Sequence, residues 1–201
     1  MCAPWVLGTP GNDQAGGVSL ASIPMPQTLS QLALAYWANP DGLRGSYACP
    51  FLKWETSHRA HNEALWLGTQ TGGPWPAIRS GDPVIFPLRK GPSTTNAFAM
   101  GVTLGRTENN DVAIDDQSVS RFHAYFQHDE KTNTWKLSDA ESKNGTFIGD
   151  KRLVANLATP LLEGTRLLVG DIRLVFLSRE ALFRELAAMS RGQSGSPSLS
   201  R

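Results

Sequence analysis

Cysteine is nearly missing from this chain of 201 residues, which holds two, Cys2 and Cys49, far apart in sequence. Two separated thiols make neither a disulfide framework nor a zinc set, and they point to a reducing compartment. Charge is scarce too, at 18% of residues, and 19 Lys and Arg nearly cancel 18 Asp and Glu to leave +1. No segment is a basic arm, which argues against nucleic acid or an anionic membrane surface as partner. No stretch approaches the ~20 apolar residues of a membrane span, and the first twenty residues lack a basic segment followed by an apolar core. A soluble, cytoplasmic protein is expected.

Catalytic patterns are missing as well. The chain has no Gly-x-Ser-x-Gly elbow and no kinase or P-loop glycine pattern. His58 and His61 stand three apart downstream of Cys49. They lack a second ligand pair and a glutamate placed as in a zinc hydrolase, so a surface pair is expected. Asn109, Asn110, Asp111, Asp115 and Asp116 gather oxygens, but without the regular spacing and closing glutamate of a calcium loop they read as a solvated turn. No enzyme, no cofactor and no metal site are expected.

What is present is enough apolar material for a core, 40% of residues including 8% aromatic, in a pattern that changes along the chain. Residues 1–27, rich in Gly, Pro, Ala and Ser, read as a flexible lead-in. Thr28 can cap a short amphipathic helix to residue 38, with Leu29, Leu32, Leu34 and Tyr36 or Trp37 as its apolar surface, stopped by the turn chemistry of Asn39-Pro40-Asp41-Gly42. Residues 28–81 form a partly ordered N-terminal extension. Its Trp54, Trp66 and Trp75 are too many rings for a bare linker and predict docking on the main domain.

From Asp82 to Ser178 the texture becomes that of an all-β domain. Strand patterns fall at Val84–Lys90, Ala97–Leu104, Asp111–Ile114, Arg121–Gln127, Thr134–Leu137, Thr146–Ile148, Arg166–Val169 and Ile172–Leu177. Phe122, Ala124 and Phe126 alternate onto one face of the fourth. Turn residues separate every pair, which predicts an antiparallel β-sandwich. Ser178 can cap a short C-terminal helix over 179–191 bearing Leu182, Phe183 and Leu186, and 192–201 read as a disordered tail.

The chemistry lies in the turns. Successive connections carry Arg106, then Ser120 and Arg121, then Lys143 and Asn144. In a meandering sandwich alternate connections emerge at one end, so these side chains can meet at one apex. All are hydrogen-bond donors. A donor cluster with few carboxylates suits a dianion with several acceptor oxygens, and a phosphate on a peptide fits it.

LGR at 104–106, ENND at 108–111, SVSRFHA at 118–124, SKNGTF at 142–147, PLLEGTRLLVG at 160–170 and IRLVF at 172–176 together resemble the signature of the forkhead-associated (FHA) domain, of the bacterial type. The likeness spans roughly residues 82–178. It implies an eleven-strand β-sandwich that reads phosphothreonine peptides, here as an adaptor in serine/threonine kinase signalling. The implied partner is a phosphothreonine-containing protein, a kinase or its substrate. By the resemblance Arg106 and Ser120 fall on the family's phosphate contacts, with Arg121 beside them. Asn144 falls on the residue that holds the peptide backbone, and Lys143 on a neighbour that often touches the phosphate loop. His123 falls on a residue that braces the loops. Gly145 suits a positive φ, Gly105 gives room at a strand end and Thr146 bonds locally. The alternative is a phosphorylation-independent interaction or assembly module that uses a side face of the sandwich.

Overall fold

The computed structural model describes residues 26–55, 81–91 and 98–192. The lead-in before Pro26, the residues His58, His61, Trp66 and Trp75, and the tail after Gly192 lie outside the described residues. Twelve strands form among the described residues: β1 (Gln27–Thr28), β2 (Phe51–Trp54), β3 (Val84–Pro87), β4 (Val102–Gly105), β5 (Val112–Ala113), β6 (Ala124–Asp129), β7 (Thr134–Asp139), β8 (Thr146–Ile148), β9 (Lys151–Arg152), β10 (Thr159–Pro160), β11 (Arg166–Val169) and β12 (Ile172–Leu177). Three helices join them: α1 (Leu29–Ala38), α2 (Pro40–Ser46) and α3 (Arg179–Gly192).

The strands make two sheets, one ordered β1-β3-β2-β12-β11-β8-β9 and the other β10-β7-β6-β4-β5. The strand pairings are antiparallel except β4 with β5, which run parallel over Leu104↔Val112 and Gly105↔Ala113. Between the sheets lies the main core, with Leu52, Phe86, Leu174 and Phe176 from the larger sheet facing Leu104, Ala124, Phe126 and Leu137 from the smaller. The larger sheet is also covered on its other side. Phe51, Ile85, Val175 and Leu177 point outward from β2, β3 and β12 into a second core with α1, α2 and α3. This explains why the Val84–Pro87 strand is a continuous apolar run: it is buried on both faces, whereas β6 has one face open and alternates.

Helix α1 is shaped by its cap. Thr28 Oγ1 accepts from the Gln31 N–H, and Gln31 Oε1 accepts from the Thr28 N–H in return. Its buried face is Leu29, Leu32, Ala33 and Tyr36, spaced i, i+3, i+4, i+7. Leu34, expected on that face, is 62% exposed because it falls on the opposite side of this period. Asn39 ends α1, but Asn39-Pro40 does not leave the chain in a turn. Asn39 Oδ1 accepts from the Gly42 N–H and Pro40 takes the first helical position, so the same residues that stop one helix start the next. At the other end Ser178 Oγ caps α3, and Leu182, Phe183 and Leu186 are buried. Arg179 ties α3 to the end of α2 through the carbonyls of Tyr47 and Arg44, and Lys53 pairs with Glu185 at 3.0 Å.

Two further expectations are revised. The sandwich draws β1 and β2 from before residue 82, and β2 sits in the middle of the larger sheet between β3 and β12. The strand expected at Arg121–Gln127 begins only at Ala124. Phe122 therefore leaves the face of Ala124 and Phe126, and its ring lies with Phe98 and Tyr125 at centroid distances of 5.4 and 6.2 Å. Among the described residues no helix is long and apolar enough to cross a membrane.

Candidate functional site

Three connections converge at one end of the sandwich: β4–β5, β5–β6 and β7–β8. Gly105 sets the spacing between the first two. A Cβ built there would stand 2.2 Å from the Arg121 carbonyl oxygen and 2.7 Å from Asn110 Nδ2, so only glycine allows this approach. The loops are then stitched by backbone. The Arg106 N–H donates to the Ser120 carbonyl at 2.9 Å. Thr107 Oγ1 and Asn110 Nδ2 both donate to the Arg121 carbonyl, at 3.0 and 2.7 Å.

His123 joins the second loop to the third. It is fully buried. The Ser120 N–H donates to its Nδ1 at 3.0 Å, so Nδ1 is an acceptor and the ring proton sits on Nε2, which donates to the Gly145 carbonyl at 3.2 Å. Burial pushes the imidazole pKa down from its ordinary value, more than the Gly145 carbonyl and the Asp139 carboxylate raise it. The ring is accordingly neutral, and Asp139 Oδ2, 4.0 Å away, is not its ion-pair partner. Asp139 organises the third loop instead. Burial works against its charge, but Thr146 Oγ1 at 2.7 Å, Ser142 Oγ at 2.7 Å and the Ser142 N–H at 2.9 Å donate to it and hold its carboxyl below the usual carboxylate range.

Between these loops opens a groove of about 560 Å³ lined by Arg106, Ser118, Ser120, Arg121, Lys143 and Asn144, with Phe122 and Glu141 on its walls. All five side chains singled out as donors meet there. None of the described carboxylates pairs with Arg106, Arg121 or Lys143. The Ser120 Oγ accepts from the Lys143 N–H at 3.0 Å, and an oxygen that accepts from the protein keeps its own proton to give to a ligand. Asn144 Nδ2 donates to the Ser118 carbonyl at 2.7 Å, and the residue lines the groove. Gly145 adopts φ 86°, the left-handed region glycine favours.

The sequence singles out neither Asp139 nor Ser142 and places Asn110 only in a turn, although each positions a loop. The oxygen cluster at 109–116 also differs from a solvated turn. The Asp111 side chain is fully buried, taking hydrogen bonds from Lys90, the Gly91 N–H and Thr103, and Asp116 accepts from both the N–H and Oγ of Ser118. Cys49 is half-buried. Burial pushes its thiol up to about 11, which leaves it protonated and a poor nucleophile.

Residues 102–170, the stretch that holds the three apex loops, match the family model of the FHA domain. The chain is 31% identical over 98 residues to the glycogen accumulation regulator GarA of Mycobacterium tuberculosis, across 45% of this chain and 55% of that protein. It is 31% identical over 97 residues to the oxoglutarate dehydrogenase inhibitor of Corynebacterium glutamicum, across 47% of this chain and 64% of the relative. The match thus spans a little over half the length of these relatives. Among solved structures, the FHA domain of the CT664 protein from Chlamydia trachomatis is 17% identical, covering 64% of this chain and 97% of its own, with a TM-score of 0.40.

Proposed function

We propose that this protein binds phosphothreonine-containing segments of a partner protein at the apex groove and serves as a non-catalytic adaptor in a cytoplasmic serine/threonine kinase pathway. The observation that carries the reading is the groove itself, where Arg106, Arg121 and Lys143 converge with no carboxylate partner among the described residues beside the free proton of Ser120. A phosphate brings about −1.5 to −2 charges and three acceptor oxygens at pH 7. Arginine meets it with paired donors, Ser120 adds a short neutral one, and the carboxamide oxygen of Asn144 can take a peptide N–H. The partner is a phosphothreonine protein, a kinase or a kinase substrate, in keeping with relatives named as a regulator and an inhibitor.

The second reading, a side-face assembly module indifferent to phosphate, meets an obstacle. The outer face of β3, β2 and β12 is filled by the chain's own helices, which leaves such a module only the open face of the smaller sheet. Isothermal titration of a phosphothreonine peptide selected from an oriented library tests the proposal. Binding of about −7 to −8 kcal/mol, a low-micromolar Kd, is expected. Equal binding of the unphosphorylated peptide would overturn it.

A further inference from the structure

Arg152 ends β9, the edge strand of the larger sheet. Its guanidinium lies over the backbone of Gly145: a Cβ built on that glycine would stand 2.5 Å from Nε and 3.0 Å from both Cζ and the second nitrogen. The glycine therefore does two things, since it takes the positive φ and leaves the space into which the arginine folds. Gly145 follows Asn144, which walls the groove. Arg152 thus sits just outside the groove, one step along the loop from Asn144.

Arg152 is an exposed residue and has no carboxylate partner among the described residues. Glu141, the acidic side chain on the groove wall, accepts instead from Asn156 Nδ2 at 2.9 Å. Lys151, next to Arg152 in β9, is exposed as well and adds positive charge to the same edge. A guanidinium laid against backbone is partly immobilised before any ligand arrives, and its planar fork matches a carboxylate in a way an ammonium does not.

We propose that Arg152 is an anion subsite beside the groove, and that it takes the carboxylate of an acidic residue flanking the phosphothreonine in the bound peptide. The inference rests on the reading of the groove as a phosphopeptide site. An extended peptide advances about 3.3 Å per residue, so the acidic residue stands within a few positions of the phosphothreonine. The subsite makes the protein select phosphothreonines in acidic surroundings, and it places part of that selectivity on a strand outside the three apex loops.

The test uses the full chain and matched phosphothreonine peptides that carry Glu or Gln at one flanking position at a time, up to four residues on either side. Isothermal titration is run on the wild type, R152Q, R152K and R106A. At one position the wild type should prefer Glu about three- to fivefold, the range of a solvent-exposed ion pair. R152Q, which keeps a planar side chain over Gly145, should bind the Glu and Gln peptides alike, at the wild-type affinity for Gln. R152K should restore part of the preference, and R106A should weaken both peptides together. An unchanged Glu preference in R152Q, no preference at any position in the wild type, or equal weakening of both peptides by R152Q would each overturn the subsite while leaving the groove intact. Failure of every phosphothreonine peptide to bind the wild type would instead overturn the reading of the groove, and the subsite with it.

Discussion

The backbone N–H of Ser120 donates to Nδ1 of His123 at 3.0 Å, and this one bond fixes the protonation state of a fully buried ring that holds two loops together. A protonated imidazole carries a hydrogen on Nδ1 and could not accept it. The fold therefore prefers the neutral ring, and the folded pKa lies below the unfolded value of about 6.5. The sign follows. Above about 6.5 both states are neutral and the stability is complete. As pH falls below that value the unfolded chain gains a proton that the folded one resists, and stability is lost until the folded pKa is passed. Asp139 is also depressed, but its loss begins only below about 4. Thermal unfolding followed between pH 8 and 5 should show a falling Tm below pH 6.5 that His123→Ala abolishes. That variant should itself lose about 2–4 kcal/mol at pH 8, from the cavity and from the unpartnered Ser120 N–H, while the Gly145 carbonyl keeps the Gly170 N–H. A flat profile in the wild type across that window would refute the assignment.

Glycines at the apex differ in what they permit, and the difference can be measured. Gly105 has an ordinary φ, yet a Cβ there would stand 2.2 Å from the Arg121 carbonyl oxygen, a backbone atom that cannot swing away. Gly149 has φ 57° with open space around it. Gly149→Ala should cost about 1 kcal/mol, the backbone strain alone. Gly105→Ala should cost more, because the β4–β5 and β5–β6 connections must separate, and it should also weaken phosphopeptide binding by moving Arg106 and Arg121 apart. Chemical denaturation of the two variants compares them directly, and equal costs would show that the close approach is not a constraint.

Much of this was legible in the sequence, for reasons that differ by residue. Arg106, Ser120, Arg121, Lys143 and Asn144 stand in turns rich in small and polar residues, where side chains have no core to serve and their types report chemistry. Strands with one open face, such as β6, announce themselves by alternation. The two-residue strands β1, β9 and β10 are too short to show any period. Strand β2, FLKW, was hidden because a sheet buried on both sides erases the alternation at Phe51 and Leu52. Phe122 misled because residues in a loop before a strand can continue its pattern without its geometry. Arg152 was invisible for another reason: its neighbour Gly145 is adjacent in space across a hairpin, and only the fold brings the two together.

The helical layer offers a prediction that separates stability from binding. Phe183 is 1% exposed, its ring lies 5.9 Å from that of Tyr36, and the guanidinium carbons of Arg44 and Arg179 stand 5.1 and 5.5 Å from its centroid. Phe183→Ala should cost about 3–5 kcal/mol, and with a chain of this size lower Tm by roughly 10 °C. The groove lies at the apex, away from this layer, so the affinity of the folded protein for phosphopeptide should change less than about twofold, well under 1 kcal/mol. A scan for Tm and a titration at low temperature decide it; a large loss of affinity with a small loss of stability would couple the helices to the groove.

The form of the ligand is the sharpest check on how the groove works. Arg106→Ala removes paired charge-assisted bonds worth roughly 2–3 kcal/mol, a loss of about 30- to 150-fold in affinity, while thermal stability falls little. Aspartate in place of the phosphothreonine should fail in the same way from the other side. A carboxylate offers one charge and two oxygens against the −1.5 to −2 charges and three acceptor oxygens of phosphate. Among Arg106, Ser120, Arg121 and Lys143 at least one donor would then lie without an acceptor, at a cost of about 1–3 kcal/mol beyond the lost attraction. Phosphoserine keeps the dianion and loses only a methyl, about 1 kcal/mol if that carbon is buried. The expected order is phosphothreonine, then phosphoserine, then aspartate and threonine together. In a competition assay, an aspartate peptide that displaced the phosphothreonine peptide at comparable concentration would show that the apex reads charge without geometry, and the paired-donor account of Arg106 and Ser120 would fall.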